Sequence, residues 1–396
     1  MTKTLSIPLA TGVLHLDIKP GRVPIQRLLG FASRIGSKRK FLLVSKVLGK
    51  HYPVSPLLMS WSYRALARSV LNSGVGLSAL WIGMAETATG LGYGVFEASC
   101  REGTENSLFM QTTRYHLDGL RRLEFDEAHS HATDFFLYYP TETQALTLFC
   151  NAESLVLIDD EISTGRTFLR LIQAYQSVNP RLRKVFVVSL VNFASPEDRA
   201  KLESQADVPV EWVALRKGRM RFEGGIDEAL PPASVNVIGN GRCKRHLLAW
   251  PGRLGIKAPV ILAEDDISTL RTWLNPTDSR PLLVLGTGEC NAPAYLLGRE
   301  LERRGYRVKV QSTTRSPIQP GNDIASVSRF KDNYDDDIDN FIYNVNPDVY
   351  QAIILCYETP LNEPLQERLD AWHAIGVRIA IDPSTGHAKL YFSRSG

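Results

Sequence analysis

Residues 155–167, Leu-Val-Leu-Ile-Asp-Asp-Glu-Ile-Ser-Thr-Gly-Arg-Thr, bring together the groups needed to hold a sugar phosphate. Four apolar residues, two adjacent acids and a small-polar loop with a glycine run into an amphipathic segment, a pattern that reads strand, loop, helix. A parallel strand here delivers Asp159 and Asp160 to the carboxyl edge of its sheet, where ligands of open α/β sheets bind. The loop Glu161–Thr167 opens a helix whose free N–H groups and positive dipole end suit a phosphate. Carboxylates for hydroxyls and a cradle for a phosphate match ribose 5-phosphate. The bland alternative, an acidic pair on a solvated loop, fits the order and context of the segment less well.

The segment resembles the phosphoribosyl-pyrophosphate (PRPP) signature of type I phosphoribosyltransferases: an apolar strand, two acids, then Thr-Gly-x-Thr. The resemblance implies an α/β fold, a type I phosphoribosyltransferase-like doubly wound parallel sheet, with PRPP as donor and Mg2+ as cofactor. In that frame Asp159 and Asp160 hold the ribose 2- and 3-hydroxyls, directly or through Mg2+, which favours hard oxygen ligands. Ser163, Thr164, Gly165, Arg166 and Thr167 hold the 5-phosphate. Ser163 stands where purine-salvage relatives place an Asp near the base, so an orotate-like or unusual acceptor is expected. Glu161 and Glu86 are candidate bases.

Other elements must frame this loop. Leu77 to Gly94 again reads strand, loop, helix, and small residues in Gly83–Thr89 permit close backbone approach to an anion. The resemblance makes Ala85, Glu86 and Thr87 the pyrophosphate-binding loop; Gly90, Gly92 and Gly94 read better as helix-packing glycines. A third strand, 106–111, ends in Thr112-Thr113-Arg114, followed by the charged stretch 115–133. The resemblance implies a lid here that closes over PRPP, with Arg114, Arg121, Arg122, His129 and His131 supplying positive charge to the leaving pyrophosphate. His129-x-His131 also has chelating spacing, but no third ligand is near in sequence, which argues against structural zinc.

Upstream, residues 1–24 suggest an edge strand or hairpin, 24–34 a short helix, 41–44 a buried strand and 57–71 a helix. Lys46, Lys50 and His51 suit either an anionic substrate or a basic loop at the edge. Downstream, a helix over 165–178, strands over 185–191 and 209–215 and a helix over 196–205 complete a first domain, 1–215.

Residues 216–260 change character and read as a connecting segment; its basic run Arg242–His246 suits an anionic site or, better, a solvated face. From 261 to 396 a second α/β pattern parallels the first. Ile82-Gly-Met-Ala-Glu86 is matched by Leu285-Gly-Thr-Gly-Glu289, and the Gln111–Arg114 stretch by Gln311–Arg315. Residues 330–346 stand where the lid stood, and 352–358 where 155–160 stood. That copy keeps one acid, Glu358, and has Thr359-Pro360 in place of the phosphate loop, where proline removes a donor. It reads as a degenerate copy, with Gly286, Glu289, Thr314, Arg315 and Ser316 as candidate site residues. Thr314-Arg315-Ser316-Pro317 and the earlier motifs resemble proteins in which a divergent phosphoribosyltransferase domain precedes a TRSP domain. Such proteins occur in bacterial stress and tellurium-resistance gene clusters, and the resemblance implies synthesis of a nucleotide- or nucleoside-like metabolite.

Bulk properties set the outer bounds. A chain of 396 residues suggests two or three domains, and 44% hydrophobic with 22% charged residues is ordinary for a globular protein. A net charge of +4 does not argue for nucleic acid. Five dispersed cysteines read as reduced thiols in the cytoplasm, and the absence of a long apolar run argues against a membrane. The expected partners are therefore PRPP and a small-molecule acceptor, in a homodimer. Two other readings stay open: a non-catalytic PRPP- or nucleotide-binding regulator, and a catalyst of the reverse cleavage.

Overall fold

A computed structural model describes residues 2–34, 39–125, 135–224, 244–381 and 387–394. His129 and His131, with Glu127 and Arg242, lie outside the described residues.

The chain opens with the antiparallel pair β1 (Lys3–Leu9) and β2 (Gly12–Ile18). One turn of helix, α1 (Ile25–Leu28), leads into the hairpin β3 (Leu29–Ser33) and β4 (Phe41–Ser45). The helix expected over 24–34 is thus cut to four residues. The stretch Leu29–Ser33 is wholly buried, and a strand buries a continuous apolar run on both faces better than one stripe of a helix does. There follow α2 (Pro56–Asn72), β5 (Ala79–Gly83), α3 (Thr89–Arg101) and β6 (Ser107–Gln111). The short hairpin β7 (Arg122–Glu124) and β8 (Phe136–Tyr138) precedes α4 (Thr143–Asn151), β9 (Ser154–Ile162), α5 (Arg166–Gln176), β10 (Lys184–Asn192), α6 (Pro196–Gln205) and β11 (Val210–Gly224). Strand β11 is longer than expected: beyond Lys217 it leaves β10 and pairs antiparallel with β2. The result is a seven-stranded sheet, β1-β2-β11-β10-β9-β5-β6, parallel through its centre.

Two short 3-10 turns, Arg245–Ala249 and Pro251–Arg253, and α7 (Glu264–Arg271) lead to a second sheet. It is built from β12 (Leu282–Gly286), α8 (Asn291–Arg303), β13 (Val308–Ser312), the hairpin β14 (Val327–Lys331) and β15 (Asp339–Tyr343), β16 (Ala352–Tyr357), α9 (Glu363–Ala371), β17 (Ile375–Ile381) and β18 (Ala388–Arg394). Its order, β13-β12-β16-β17-β18, follows β6-β5-β9-β10-β11, except that β18 runs antiparallel to β17 where β11 runs parallel to β10.

The repeat extends to single hydrogen bonds. The Met84 N–H donates to Ile158 O at 2.9 Å, and the Thr287 N–H to Cys356 O at 3.0 Å. The Thr112 hydroxyl accepts from Ala85 N–H at 2.8 Å, and the Thr313 hydroxyl from Gly288 N–H at 2.9 Å. Thr113 bridges Phe136 as Thr314 bridges Phe341. These pairs align Asp160 with Glu358 and Arg114 with Arg315. They also align Gln111 with Ser312 rather than Gln311, because Gly83 faces Gln111 while Gly286 faces Ser312.

The halves meet through α2, α3 and α8, and one apolar core runs from Leu14 to Leu390 through both. A Cβ on Gly90 of α3 would lie 3.0 Å from Asn291 Cβ of α8 across the halves, and within the first half one on Gly94 would lie 2.0 Å from the Tyr63 ring. No described helix is long and apolar enough to cross a membrane.

Candidate functional site

Strand β9 ends as its sequence suggests. Its first five residues are buried, and Asp159, Asp160 and Glu161 emerge partly exposed at the carboxyl end. Burial first, and then the adjacent Asp160, raises the Asp159 carboxyl well above the usual range. Burial and Glu161 push Asp160 up to about 6. Two carboxyls here repel each other without a cation between them.

The loop then turns into α5 through Gly165, whose φ of +76° is left-handed. A side chain in that region costs about 1–2 kcal/mol, and a Cβ would also lie 3.0 Å from Leu202 Cδ1. Gly165 caps the helix with no side-chain bond, so the first N–H groups of α5 keep their capacity for an anion. Gly165→Ala is expected to cost about 1–2 kcal/mol of stability, which chemical denaturation reads directly.

The second loop, Met84–Thr89, lies at the end of β5, next to β9 in the sheet. Its Ala85–Glu86 peptide is cis. Glu86 is buried; Lys50 Nζ donates to its Oε1 at 2.6 Å, and Arg315 Nε lies 3.4 Å from Oε2. Burial pushes the Glu86 carboxyl up, and Lys50 and Arg315 more than reverse this, leaving it below the usual range. Lys50 also donates to Thr313 O at 2.7 Å, and Lys46 pairs with Asp323 at 2.9 Å. Both expected lysines therefore tie the first half to the second. His51 is buried, with its pKa lowered to about 3 by burial, Lys50 and Arg34, so its imidazole is neutral.

The equivalent loop of the second half is held reciprocally. Glu289 accepts from the Thr113 hydroxyl at 2.7 Å, the Arg114 N–H at 2.9 Å and Arg253 Nη2 at 2.8 Å. Asn291 Nδ2 donates to Glu86 O at 3.0 Å, and the Thr89 hydroxyl to Glu289 O at 3.1 Å. Each half thus binds the other's loop glutamate, the first with the segment that follows β6 and the second with the segment that follows β13.

Residues 28–219 match the family described as phosphoribosyl transferase, and residues 250–371 match the TRSP domain that lies C-terminal to it. The chain carries a phosphoribosyl transferase domain followed by a TRSP domain. Among solved structures it is similar to adenine phosphoribosyl transferase from Trypanosoma brucei, at 14% identity over 48% of this chain and 77% of that one, with a TM-score of 0.34. It is similar also to adenine phosphoribosyltransferase from Thermoanaerobacter pseudethanolicus, at 13% identity over 48% and 97%, TM-score 0.34. Orotate phosphoribosyltransferase from Francisella tularensis matches at 13% identity over 46% and 80%, TM-score 0.28. No curated protein matches the chain.

Within the phosphoribosyltransferase part, Asp159, Asp160, Glu161 and the loop Ser163–Thr167 lie along one strand-to-helix turn. Ala85, Glu86 and Thr87 lie at the end of the neighbouring strand. Arg114 follows β6, and burial and Arg315 lower its pKa. Among the described residues no three of His, Cys, Asp and Glu converge as a metal set.

In the TRSP domain, Gly286 is packed against Cys290, where a Cβ would lie 2.4 Å from its carbonyl oxygen, and Thr314 is engaged by Phe341. The Ser316 N–H donates to the Thr314 hydroxyl at 3.2 Å. Arg315 points at the first half, donating to the Tyr115 hydroxyl and lying beside Glu86. Glu358, at the position of Asp160, is fully engaged: Arg253 grips it with bonds of 2.7 and 2.8 Å, and the Tyr334 hydroxyl donates to it at 2.8 Å. Tyr334 stacks on Tyr115 with ring centroids 4.5 Å apart. The acid of the second copy is thus spent on structure.

Arg253, Tyr115 and Tyr334 carry no motif, and only the tertiary contacts reveal them. The same holds for Arg34 and Arg39 on the β3–β4 hairpin. Arg39 forms a two-pronged ion pair with Glu161 and covers the Phe41 ring at 4.4 Å.

Proposed function

We propose that this protein transfers the phosphoribosyl group of PRPP to a small acceptor with release of pyrophosphate. The observation that carries this reading is the acid pair Asp159–Asp160 one short turn before a left-handed glycine cap, with a second anion-suited loop on the adjacent strand. Asp159 and Asp160 take the ribose hydroxyls, Ser163–Thr167 the 5-phosphate, and Ala85–Thr87 the pyrophosphate. The bond from C1 to the pyrophosphate oxygen breaks with its electron pair on the leaving group, and a lone pair of the acceptor closes on C1. Arg114 and Arg315 stand beside the Glu86 loop and offset the growing negative charge. The acceptor's proton leaves to solvent, since Arg39 holds both oxygens of Glu161.

The donor set fits Mg2+: two adjacent carboxylates give hard oxygens, and substrate oxygens and water complete the shell. When bound, Mg2+ supplies positive charge to the pyrophosphate oxygens. A cation also suits the raised proton affinity of the pair, since it supplies the positive charge that burial and mutual repulsion make favourable there.

The pH dependence follows from sign. With Asp160 titrating near 6 and Asp159 raised further, the pair is protonated below that range and able to bind a cation above it. PRPP with Mg2+ is expected to bind more weakly as pH falls through about 6 and to release protons on binding. Calorimetry in buffers of different ionisation enthalpy measures that release. Without ligand, the raised pKa values make the fold lose stability as pH rises through the same range. Pyrophosphate release from PRPP against a panel of acceptors tests the function itself. Tight PRPP binding with no release for any acceptor would favour the regulator reading instead.

A further inference from the structure

The acceptor is the open substrate, and a charge imbalance beside Glu161 bears on it. Arg34 ends the first arm of the β3–β4 hairpin and is partly buried. Its Nε is buried without a hydrogen-bond partner, and among the described residues no carboxylate reaches its guanidinium as an ion pair. The charged and titratable groups acting on it are Arg39, Glu161, Arg114 and Tyr343. Glu161 is already taken, since both its oxygens are bound by Arg39. Burial and its like-charged neighbours lower the Arg34 pKa.

A partly buried guanidinium beside two others, with the nearest carboxylate committed elsewhere, is costly unless an anion arrives. Yet the fold fixes it there. Arg34 pairs through its backbone with Ile318, the Gln319 N–H donates to Ser33 O at 3.1 Å, and the Phe31 N–H donates to Asp323 at 2.9 Å. The chain just after Thr-Arg-Ser-Pro therefore lies against the hairpin and holds it. Lys50 and Arg315 are engaged with Glu86, and Arg114 acts on both Glu86 and Arg34, whereas Arg34 has no carboxylate ion pair among the described residues. Arg34 and Arg39 against Glu161 leave positive charge to be matched, and Arg114 adds to it.

We propose that Arg34, with Arg39 beside it, forms an anion subsite for the acceptor, and that the second substrate is a small molecule carrying one carboxylate-type acidic group. The planar guanidinium edge matches a carboxylate with two parallel hydrogen bonds. A neutral acceptor would leave the charge unmatched. The inference rests on the transferase reading for its substrate pair, and its test separates the two.

Binding of orotate against uracil, and of nicotinate against nicotinamide, is measured calorimetrically on the full chain with Mg2+ present, alongside PRPP binding. At least one acidic probe is expected to bind about tenfold to a hundredfold more tightly than its neutral partner. Arg34→Ala is expected to erase that preference and Arg34→Lys to restore part of it, with PRPP affinity held within about twofold in both. Thermal melting of both variants checks the hairpin. No acidic preference in the unaltered protein overturns the proposal. So does a loss of PRPP affinity in Arg34→Ala with the acidic preference intact, which would assign the cation to the donor. Failure of PRPP to bind, with the acidic preference present and lost in Arg34→Ala, sinks the transferase reading and leaves the anion subsite standing.

Discussion

Replacing Asp159 and Asp160 together by asparagine is expected to cut PRPP-dependent pyrophosphate release by about a thousandfold, the scale seen when preorganised electrostatic partners of a transition state are removed. The amides preserve shape and can still touch the ribose hydroxyls, so what is lost is charge. Burial and mutual repulsion raise the proton affinity of both carboxyls, and a cation between them offsets that repulsion. Without them neither Mg2+ nor the developing positive charge at C1 has its counter-charge. The same replacement removes a repulsion from the folded state, so the melting temperature is expected to hold or rise. Activity lost with stability kept identifies the pair as functional. Activity lost together with stability would make it part of the scaffold.

Arg253→Met is expected to have the largest effect on stability. Arg253 is fully buried and binds Glu289, Glu358, Leu247 O and the Thr113 hydroxyl. Burial disfavours its charge, but Glu358 and Glu289 outweigh that and raise its pKa well above the usual range. Methionine fills the space and abandons two buried carboxylates, a loss of about 3–5 kcal/mol. Chemical denaturation gives the value directly. Adding Glu289→Gln and Glu358→Gln is expected to recover most of it, since the triple variant leaves no buried charge without its counter-charge. Mild acid should also stabilise Arg253→Met, because protonation neutralises the stranded carboxyls. If Arg253→Met unfolds at the same denaturant concentration as the unaltered chain, the buried cluster does not hold the halves together.

The legible parts were those whose chemistry is local. The run from Leu155 to Thr167 encodes its own strand, its partly exposed acids and its turn, because a continuous buried apolar run, adjacent carboxyls and a left-handed glycine are each written in neighbouring residues. The second copy was legible for the same reason: Gly286–Glu289 and Thr313–Arg315 reproduce the local geometry of Gly83–Glu86 and Thr112–Arg114, and the hydrogen bonds follow. Even there the glutamine match slipped by one residue, because strand register is set by the neighbouring strands and not by the strand alone.

What lies between the halves was not legible. Burial of Leu29–Ser33 against distant segments turned an expected helix into a hairpin, and that brought Arg34 and Arg39 to the acids of β9. The pairing of Glu86 with Arg315, and of Glu289 with Thr113 and Arg253, joins residues far apart in the chain with no periodicity between them. Local order fixes which groups a turn presents, since backbone geometry and side-chain type act over a few residues. Which charges meet and which acid is spent on structure depend on long-range packing, and so only the tertiary structure decided that Asp160 stays partly exposed while Glu358 is buried and paired with Arg253.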